Sequence, residues 1–246
     1  MSNNGHDAGI TVITGAASGI GKAVSERFAK SGDSLVLIDR DEAGIKEVAS
    51  SLASRFAIQT REVVADLSDR EDCHRAFEES IREGLPDRWI NNAGILRLAE
   101  AVSTSDELFD SVMNTNFRSV FILSTLFAAK IIEADKRGAI VNISSIHALL
   151  SEPNAAVYTA AKGAIEASSR TFASEWATHG IRVNCVRPGA TYTELTTPIY
   201  TQEIKRAIYA RVPMKRIAEA SEIAEAVYFL ASDSSSYCTG TTLDVD

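Results

Sequence analysis

Short β-branched runs alternate with amphipathic stretches along most of this chain, and that alternation limits the fold more tightly than any other feature. Ile10-Thr-Val-Ile13 stops at Thr14-Gly15, and the segment from Ile20 to Ser31 carries apolar residues at Val24, Phe28 and Ala29, a strand, glycine turn and helix. Leu35–Ile38 precedes a helix through Ile45, Val48 and Leu52, and Val63-Val64 precedes one through Ala76, Phe77 and Ile81. Trp89-Ile90 opens a fourth unit. Val112 to Ala134 reads as a long helix, Ala139–Ile143 as a strand, Ala156 to His179 as a second long helix, Ile181–Val186 as a strand, and Glu222 to Ala231 as a final helix. A parallel neighbour is reached only through a crossover, so short apolar strands separated by helices imply a parallel sheet covered on both faces. The expected class is α/β, one doubly wound domain over residues 1–246 with an irregular, lid-like insertion at about 189–220.

Composition removes several functions. Against 33 Asp and Glu stand only 25 Lys and Arg, for a formal charge of −8, and no clustered basic stretch exists to neutralise phosphates, so no nucleic-acid partner is expected. The longest apolar stretch, Val120–Ile132, is interrupted by Ser124, Thr125 and Lys130 and is shorter than the roughly 18 residues of a membrane span. No membrane association is expected. Met1–Gly9 has neither a basic start nor an apolar h-region, which makes the cytoplasm the expected location. Cys73, Cys185 and Cys238 are odd in number, far apart and without metal-ligand spacing, so they are expected as small buried hydrophobes rather than a disulfide or a metal site.

Gly15-Ala-Ala-Ser18-Gly19-Ile20-Gly21 lies between the first strand and its helix, where bare backbone can approach a pyrophosphate and the helix N-terminus favours its charge. A tight turn would use the same glycines without any ligand. Asp39 closes the second strand, 18 residues after Gly21, where a carboxylate accepts ribose hydroxyls and repels a 2′-phosphate; together they point to NAD. Arg40 beside it is compatible with some use of NADP. Tyr158 and Lys162 stand four apart at a helix start, on one face. A phenol titrates near about 10, so a base working near neutrality needs about 4 kcal/mol of help from a nearby cation, which Lys162 is placed to give. Such spacing alone more often marks a helix surface. Ser144 and Ser145 follow the strand Ala139–Ile143, at the carboxyl end where open α/β sheets bind ligands, although a serine there also serves as a helix cap.

Thr14-Gly15-Ala-Ala-Ser-Gly19-Ile-Gly21, Asn91-Asn92-Ala-Gly94, Ser145, Tyr158-Thr-Ala-Ala-Lys162 and Pro188-Gly189, in this order over nearly the whole chain, resemble the short-chain dehydrogenase/reductase family. The resemblance implies a Rossmann-like fold and hydride transfer between a carbinol carbon and a nicotinamide, with no metal. It implies Tyr158 as general acid/base, Ser145 positioning the substrate oxygen, Lys162 holding the nicotinamide ribose and lowering the Tyr158 pKa, and Asn116 anchoring a water that relays protons. It further implies adenine contacts at Asp66-Leu67, support of the sheet beside the cofactor by the segment Asn91–Gly94, with Asn92 and Gly94 among the cofactor contacts, and carboxamide contacts from Pro188, Gly189 and Thr193. Three positions depart from or refine the pattern. Ser119 stands where glycine is usual, Thr191 where an aliphatic residue is usual, and Ser18 where NADP-preferring relatives carry Arg or Lys.

The substrate is expected to be a small-molecule alcohol or ketone. The loop Ile146–Asn154 and the region after Gly189 offer His147, Glu152, Asn154, Thr191, Tyr192 and Glu194, a polar set suited to a sugar, polyol or other hydroxylated molecule. His147, two residues after Ser145, is a candidate contact to a substrate hydroxyl or carboxylate. Two other readings keep the fold, an NADPH-dependent ketoreductase and a non-catalytic NAD-binding protein. A serine hydrolase lacks nucleophile-elbow glycines around Asn142-Ile-Ser-Ser-Ile146. Apolar residues on several faces of the two long helices, among them Phe121, Leu126, Phe127, Ile165, Phe172 and Trp176, together with the resemblance, imply a homodimer or homotetramer. The sequence ends at Val245-Asp246 where the family commonly continues with Gly-Gly and a short tail, from which looser subunit contacts or a looser pocket wall are expected.

Overall fold

A computed structural model describes residues 8–246; the leader Met1–Asp7, read above as free of a targeting segment, lies outside the described residues. In chain order the elements are β1 (Ile10–Thr14), α1 (Gly19–Ala29), β2 (Ser34–Asp39), α2 (Glu42–Phe56), β3 (Thr60–Val64), α3 (Arg70–Ser80), β4 (Arg88–Asn91), α4 (Asp106–Met113), α5 (Ser119–Glu133), β5 (Gly138–Ile143), α6 (Ala156–Trp176), β6 (Ile181–Pro188), β7 (Thr191–Tyr192), α7 (Gln202–Arg211), β8 (Ala218–Glu219), α8 (Ala220–Ala231) and β9 (Thr242–Val245). Seven strands form one parallel sheet in the order β3-β2-β1-β4-β5-β6-β9, and β7 pairs with β8 apart from it. The order reverses between β1 and β4, which opens a crevice at their carboxyl ends.

Strand side chains alternate between two layers. On one face Ile13, Leu37, Ile90, Val141 and Val186 meet Val24 and Phe28 of α1, Ile45 and Leu52 of α2, and Ile223 and Val227 of α8. On the other, Val12, Val36, Trp89, Ile140 and Val183 meet Phe77 of α3, Leu123 and Phe127 of α5, and Phe172 of α6. A buried polar chain runs through the second layer. Trp89 Nε1 donates to Asn91 Oδ1 at 3.0 Å, Asn91 Nδ2 to Asn142 Oδ1 at 2.8 Å and to Ser124 Oγ at 3.0 Å, and Asn142 Nδ2 to Ser169 Oγ at 2.8 Å. It joins β4, β5, α5 and α6, so the strand that leads into Ser145 and the helix carrying Tyr158 share one fixed register.

Three features differ from the sequence reading. The long helix starts at Asp106 rather than Val112 and is continuous through a π turn at Asn114–Arg118 to Glu133. At 28 residues, with a mean hydropathy of 1.2 in its most apolar window, Asp106–Glu133 is long and apolar enough to cross a membrane, which the shorter run Val120–Ile132 was not. In this fold its inner residues Leu123, Phe127 and Ile131 pack on the sheet. The stretch 189–220 is not irregular, since it holds β7, α7 and β8. The terminal strand β9, placed in no element by the periodicity, extends the sheet beside β6.

Candidate active site

A cavity of about 940 Å³ runs along the carboxyl edge of the sheet from Asp39 and Arg40 to Ser145, Tyr158 and Lys162, and on beneath α7. Its first wall is the β1–α1 turn. Gly15 sits at φ +65°, and a Cβ there would lie 2.8 Å from the Ala93 Cα; a Cβ on Gly21 would lie 2.0 Å from the Gly15 carbonyl oxygen. Gly21 therefore packs the turn shut from behind while Gly15, Ser18, Gly19 and Ile20 line the cavity. The opposing loop after β4 is fixed at its start. Asn92 N–H and Ala93 N–H both donate to Thr14 Oγ1 at 3.0 Å, and Asn92 Nδ2 donates to the Thr14 and Gly15 carbonyls at 3.0 Å.

Asp39 Oδ2 accepts from Ala17 N–H and Oδ1 from Asp41 N–H, each at 3.0 Å, so the carboxylate is held at the cavity end with lone pairs to spare. Asp66 and Leu67 line the same end. This cradle fits a dinucleotide: a glycine turn whose crowded positions admit no side chain, a helix N-terminus behind it, and an acidic residue on the same cavity wall. One further contact crosses it. Glu194, exposed and after β7, accepts a hydrogen bond from Gly19 N–H at 2.7 Å.

At the inner end, Tyr158 and Lys162 share one face of α6. Lys162 is 4% exposed, its Nζ donates to the Ile143 carbonyl at 2.8 Å and lies 5.7 Å from the Tyr158 ring centroid. Burial lowers its pKa to about 8, with the Cys185 thiol acting weakly the other way. Burial also pushes the Tyr158 phenol above its ordinary value, against a hydrogen bond with Ser145 that pulls it down. That direction is opposite to the depression expected from Lys162, because burial of the phenol outweighs the hydrogen bond with Ser145. His147 stands beside the pair, with its ring 6.1 Å from that of Tyr158, its N–H donating to Ser145 Oγ at 3.2 Å, and its Nδ1 buried with no hydrogen-bond partner among the described residues.

Of the catalytic and cofactor residues expected from sequence, Asn116 and Gly21 do not line the cavity. Asn116 lies beneath it, wholly buried, its Oδ1 accepting from Ile95 N–H at 2.8 Å and its Nδ2 donating to the Ile95 carbonyl at 2.9 Å, so its side chain pairs with the backbone of the segment after β4. The π turn brings it there, and Ser119 closes the turn by donating to the Thr115 carbonyl at 2.6 Å. Of the polar substrate set, His147, Glu152 and Thr191 line the cavity, whereas Asn154, Tyr192 and Glu194 do not. The outer wall is instead apolar, formed by Leu195, Ile199, Ile204, Ala207 and Ile208 with Arg211 at its end. Thr201, whose Oγ1 accepts from Ile204 N–H, followed by apolar residues at 204, 207 and 208, was the available signal: a capped helix with an apolar stripe. That stripe faces the cavity rather than the core. Among the described residues, no three His, Cys, Asp or Glu side chains gather as metal ligands, and all three cysteines are free.

A family profile described as enoyl-(acyl carrier protein) reductase matches residues 15–246. Galactitol 2-dehydrogenase (L-tagatose-forming) of Cereibacter sphaeroides is 38% identical, with 98% of this chain and 94% of the relative covered. A 3-oxoacyl-[acyl-carrier-protein] reductase of Thermotoga maritima is 32% identical over 96% of each. A solved structure from Beutenbergia cavernae, described as a candidate NAD(P)-dependent gluconate 5-dehydrogenase with NADP bound at low occupancy, superposes with a TM-score of 0.92 at 35% identity, covering 96% of this chain and 94% of that one.

The desolvated Lys162 gives a testable balance. Below pH 8 its folded-state charge costs roughly 3 kcal/mol, because the unfolded chain would keep the proton up to about 10.5. Lys162→Met removes that cost and loses about 1 kcal/mol of hydrogen bonding to Ile143. Urea unfolding at pH 7 should find the variant more stable by about 2 kcal/mol, with the gain shrinking as pH rises from 8 toward 10.5. A variant less stable at pH 7, or a gap that widens with pH, contradicts the account.

Proposed function

The chain belongs to the short-chain dehydrogenase/reductase family, oxidoreductases that act on CH–OH groups, and from that premise we propose that it is an NAD-preferring dehydrogenase of a sugar, polyol or another hydroxylated small molecule. The observation that carries the reading is the Ser145–Tyr158 hydroxyl pair, with Lys162 behind it, at one end of a cavity whose other end is Asp39. The bound nicotinamide supplies or accepts the hydride. Tyr158 exchanges the proton of the reacting oxygen, and Ser145 hydrogen-bonds that oxygen and fixes its approach. Lys162 holds the nicotinamide ribose and, with its Nζ 5.7 Å from the Tyr158 ring centroid, offsets part of the burial that raises the phenol.

Gly15, Ser18, Gly19 and Ile20 receive the pyrophosphate, with Gly21 keeping their turn closed, and Asp66-Leu67 flank the adenine. Asn92 and Gly94 border the nicotinamide side, and Pro188, Gly189, Thr191 and Thr193 take its carboxamide. Asp39 selects NAD, since a 2′-phosphate beside its carboxylate is repelled. Arg40 on the same wall, and the NADP in the Beutenbergia relative, favour a second reading in which NADPH drives ketone reduction. Galactitol and glucose dehydrogenases among the relatives support a polyhydroxylated substrate. The unpartnered His147 Nδ1 is placed to contact one of its hydroxyls, while the stripe of α7 covers the carbon skeleton. The whole chain acts as one cofactor-binding and catalytic unit in which 189–220 closes the cavity. Three free thiols fit the reducing cytoplasm. Phe109, Phe121 and Ile132 stay exposed on α4 and α5, a surface for a homodimer or homotetramer.

Three outcomes are expected. The purified protein turns over members of a panel of sugars, polyols and hydroxy acids with a higher kcat/KM for NAD than for NADP, and Tyr158→Phe lowers kcat by about 10²-fold or more; an NADP preference overturns the role of Asp39. His147→Ala raises KM for the alcohol and leaves KM for NAD unchanged; equal KM values for the alcohol remove His147 from the site. Light scattering gives a mass of at least twice the 26.5 kDa protomer, and a protomer mass refutes the assembly.

A further inference from the structure

The three segments that meet at Ser145 and Tyr158 are tied together by one buried carboxylate outside the cavity. Tyr158, Lys162 and Glu166 follow at four-residue steps along one face of α6. Glu166 is 5% exposed and accepts from three donors: Ser144 Oγ at 2.6 Å, Arg187 Nε at 2.9 Å and Arg187 Nη2 at 2.7 Å. Arg187, itself 8% exposed, pairs in addition with Asp244 of β9. The carboxylate thus joins α6 to the segment just after β5, where Ser144 precedes Ser145, and to the end of β6, where Arg187 precedes Pro188-Gly189. Ser144 N–H donates to the Val186 carbonyl at 2.8 Å, and its neighbour Ile143 provides the carbonyl that holds Lys162.

We propose that Glu166 is a positioning residue for the oxidoreductase reaction, setting Ser145 against Tyr158 and Lys162 through Ser144, and setting Pro188-Gly189 through Arg187. The inference rests on the functional reading above. Stability alone accounts poorly for such a pair. Two buried charges give up water to meet, and apolar side chains of similar volume in their place are often as stable or more so. A bidentate guanidinium and a hydroxyl converging on one carboxylate instead fix direction as well as distance, and a displacement of about 1 Å at a reacting group is enough to cost on the order of 10²-fold in rate.

The test uses Ser144→Ala, Glu166→Gln and the double variant in the full chain. Ser144→Ala leaves no uncompensated charge, so it reads the contact even where Glu166→Gln folds poorly. Per folded enzyme, each single variant should lower kcat by about tenfold or more while KM for NAD stays within about twofold, and the double variant should lose no more than Glu166→Gln, because both changes delete one contact. Hydrogen exchange supplies a readout that needs no turnover. In both single variants, amides of 143–148 should exchange faster, with 187–190 following in Glu166→Gln, while β1 and β2 keep wild-type protection. An unchanged kcat in folded Ser144→Ala overturns the proposal. So does exchange that is unchanged, or that loosens across the whole sheet as for a purely structural pair. A wild-type protein inactive on every alcohol with either cofactor defeats the functional reading, and the exchange pattern still decides whether Glu166 fixes these segments.

Discussion

Parallel pairing is the constraint on which the site depends. Because β1, β4, β5 and β6 all run the same way, the turns that follow them emerge at one edge, and residues as distant in sequence as Gly15, Asn92, Ser145 and Gly189 border one cavity. Parallel strands need crossovers, the crossovers need apolar faces on both sides of the sheet, and those two faces take up most of the fully buried apolar residues. The chemistry is left to residues just beyond the strand ends, where backbone amides and carbonyls are no longer claimed by the ladder.

The electrostatics of the inner end follow from the same burial. Desolvation moves the two principal ionisable groups in opposite directions, raising the Tyr158 phenol and lowering the Lys162 ammonium, and so drives their titrations apart. Each change works against the charged form, and the hydroxyl of Ser145 and the carbonyl of Ile143 are the partners that make those charged forms tolerable. Deeper in the sheet, Glu166 and Arg187 solve the same problem differently. Their charges are kept by satisfying one another, and hydrogen bonds from Arg187 and Ser144 outweigh burial to hold the Glu166 carboxyl below its usual range.

Much of this was legible in the residues themselves. The runs Ile10–Ile13, Leu35–Ile38 and Ala139–Ile143 are β-branched or aliphatic and bounded by turns, so periodicity locates them to within a residue or two. The glycine turn, Asp39 and the Tyr158–Lys162 pair sit at strand ends and helix starts, where local pattern and role coincide. What escaped was set by tertiary context. The stripe on α7 has helix period but faces a cavity, and a polar reading of the neighbouring loops gave its apolar wall no weight. The π turn leaves no pattern in Asn114-Thr-Asn-Phe-Arg118, and only the contact with Ile95 shows why the helix widens there. Glu166 and Arg187 look like ordinary surface charges until the fold brings them together.

The Asn116 side chain carries the same donor and acceptor as a peptide group, and Ile95 pairs with it as though with one more strand residue. With Thr14 holding the other end, Asn92, Ala93 and Ile95 of this segment have backbone partners before any ligand arrives. The entropy of ordering that segment is therefore settled once, during folding. A molecule entering beside Gly94 meets a wall that is already in place, and the free energy of its contacts goes into affinity and orientation instead of into arranging the loop.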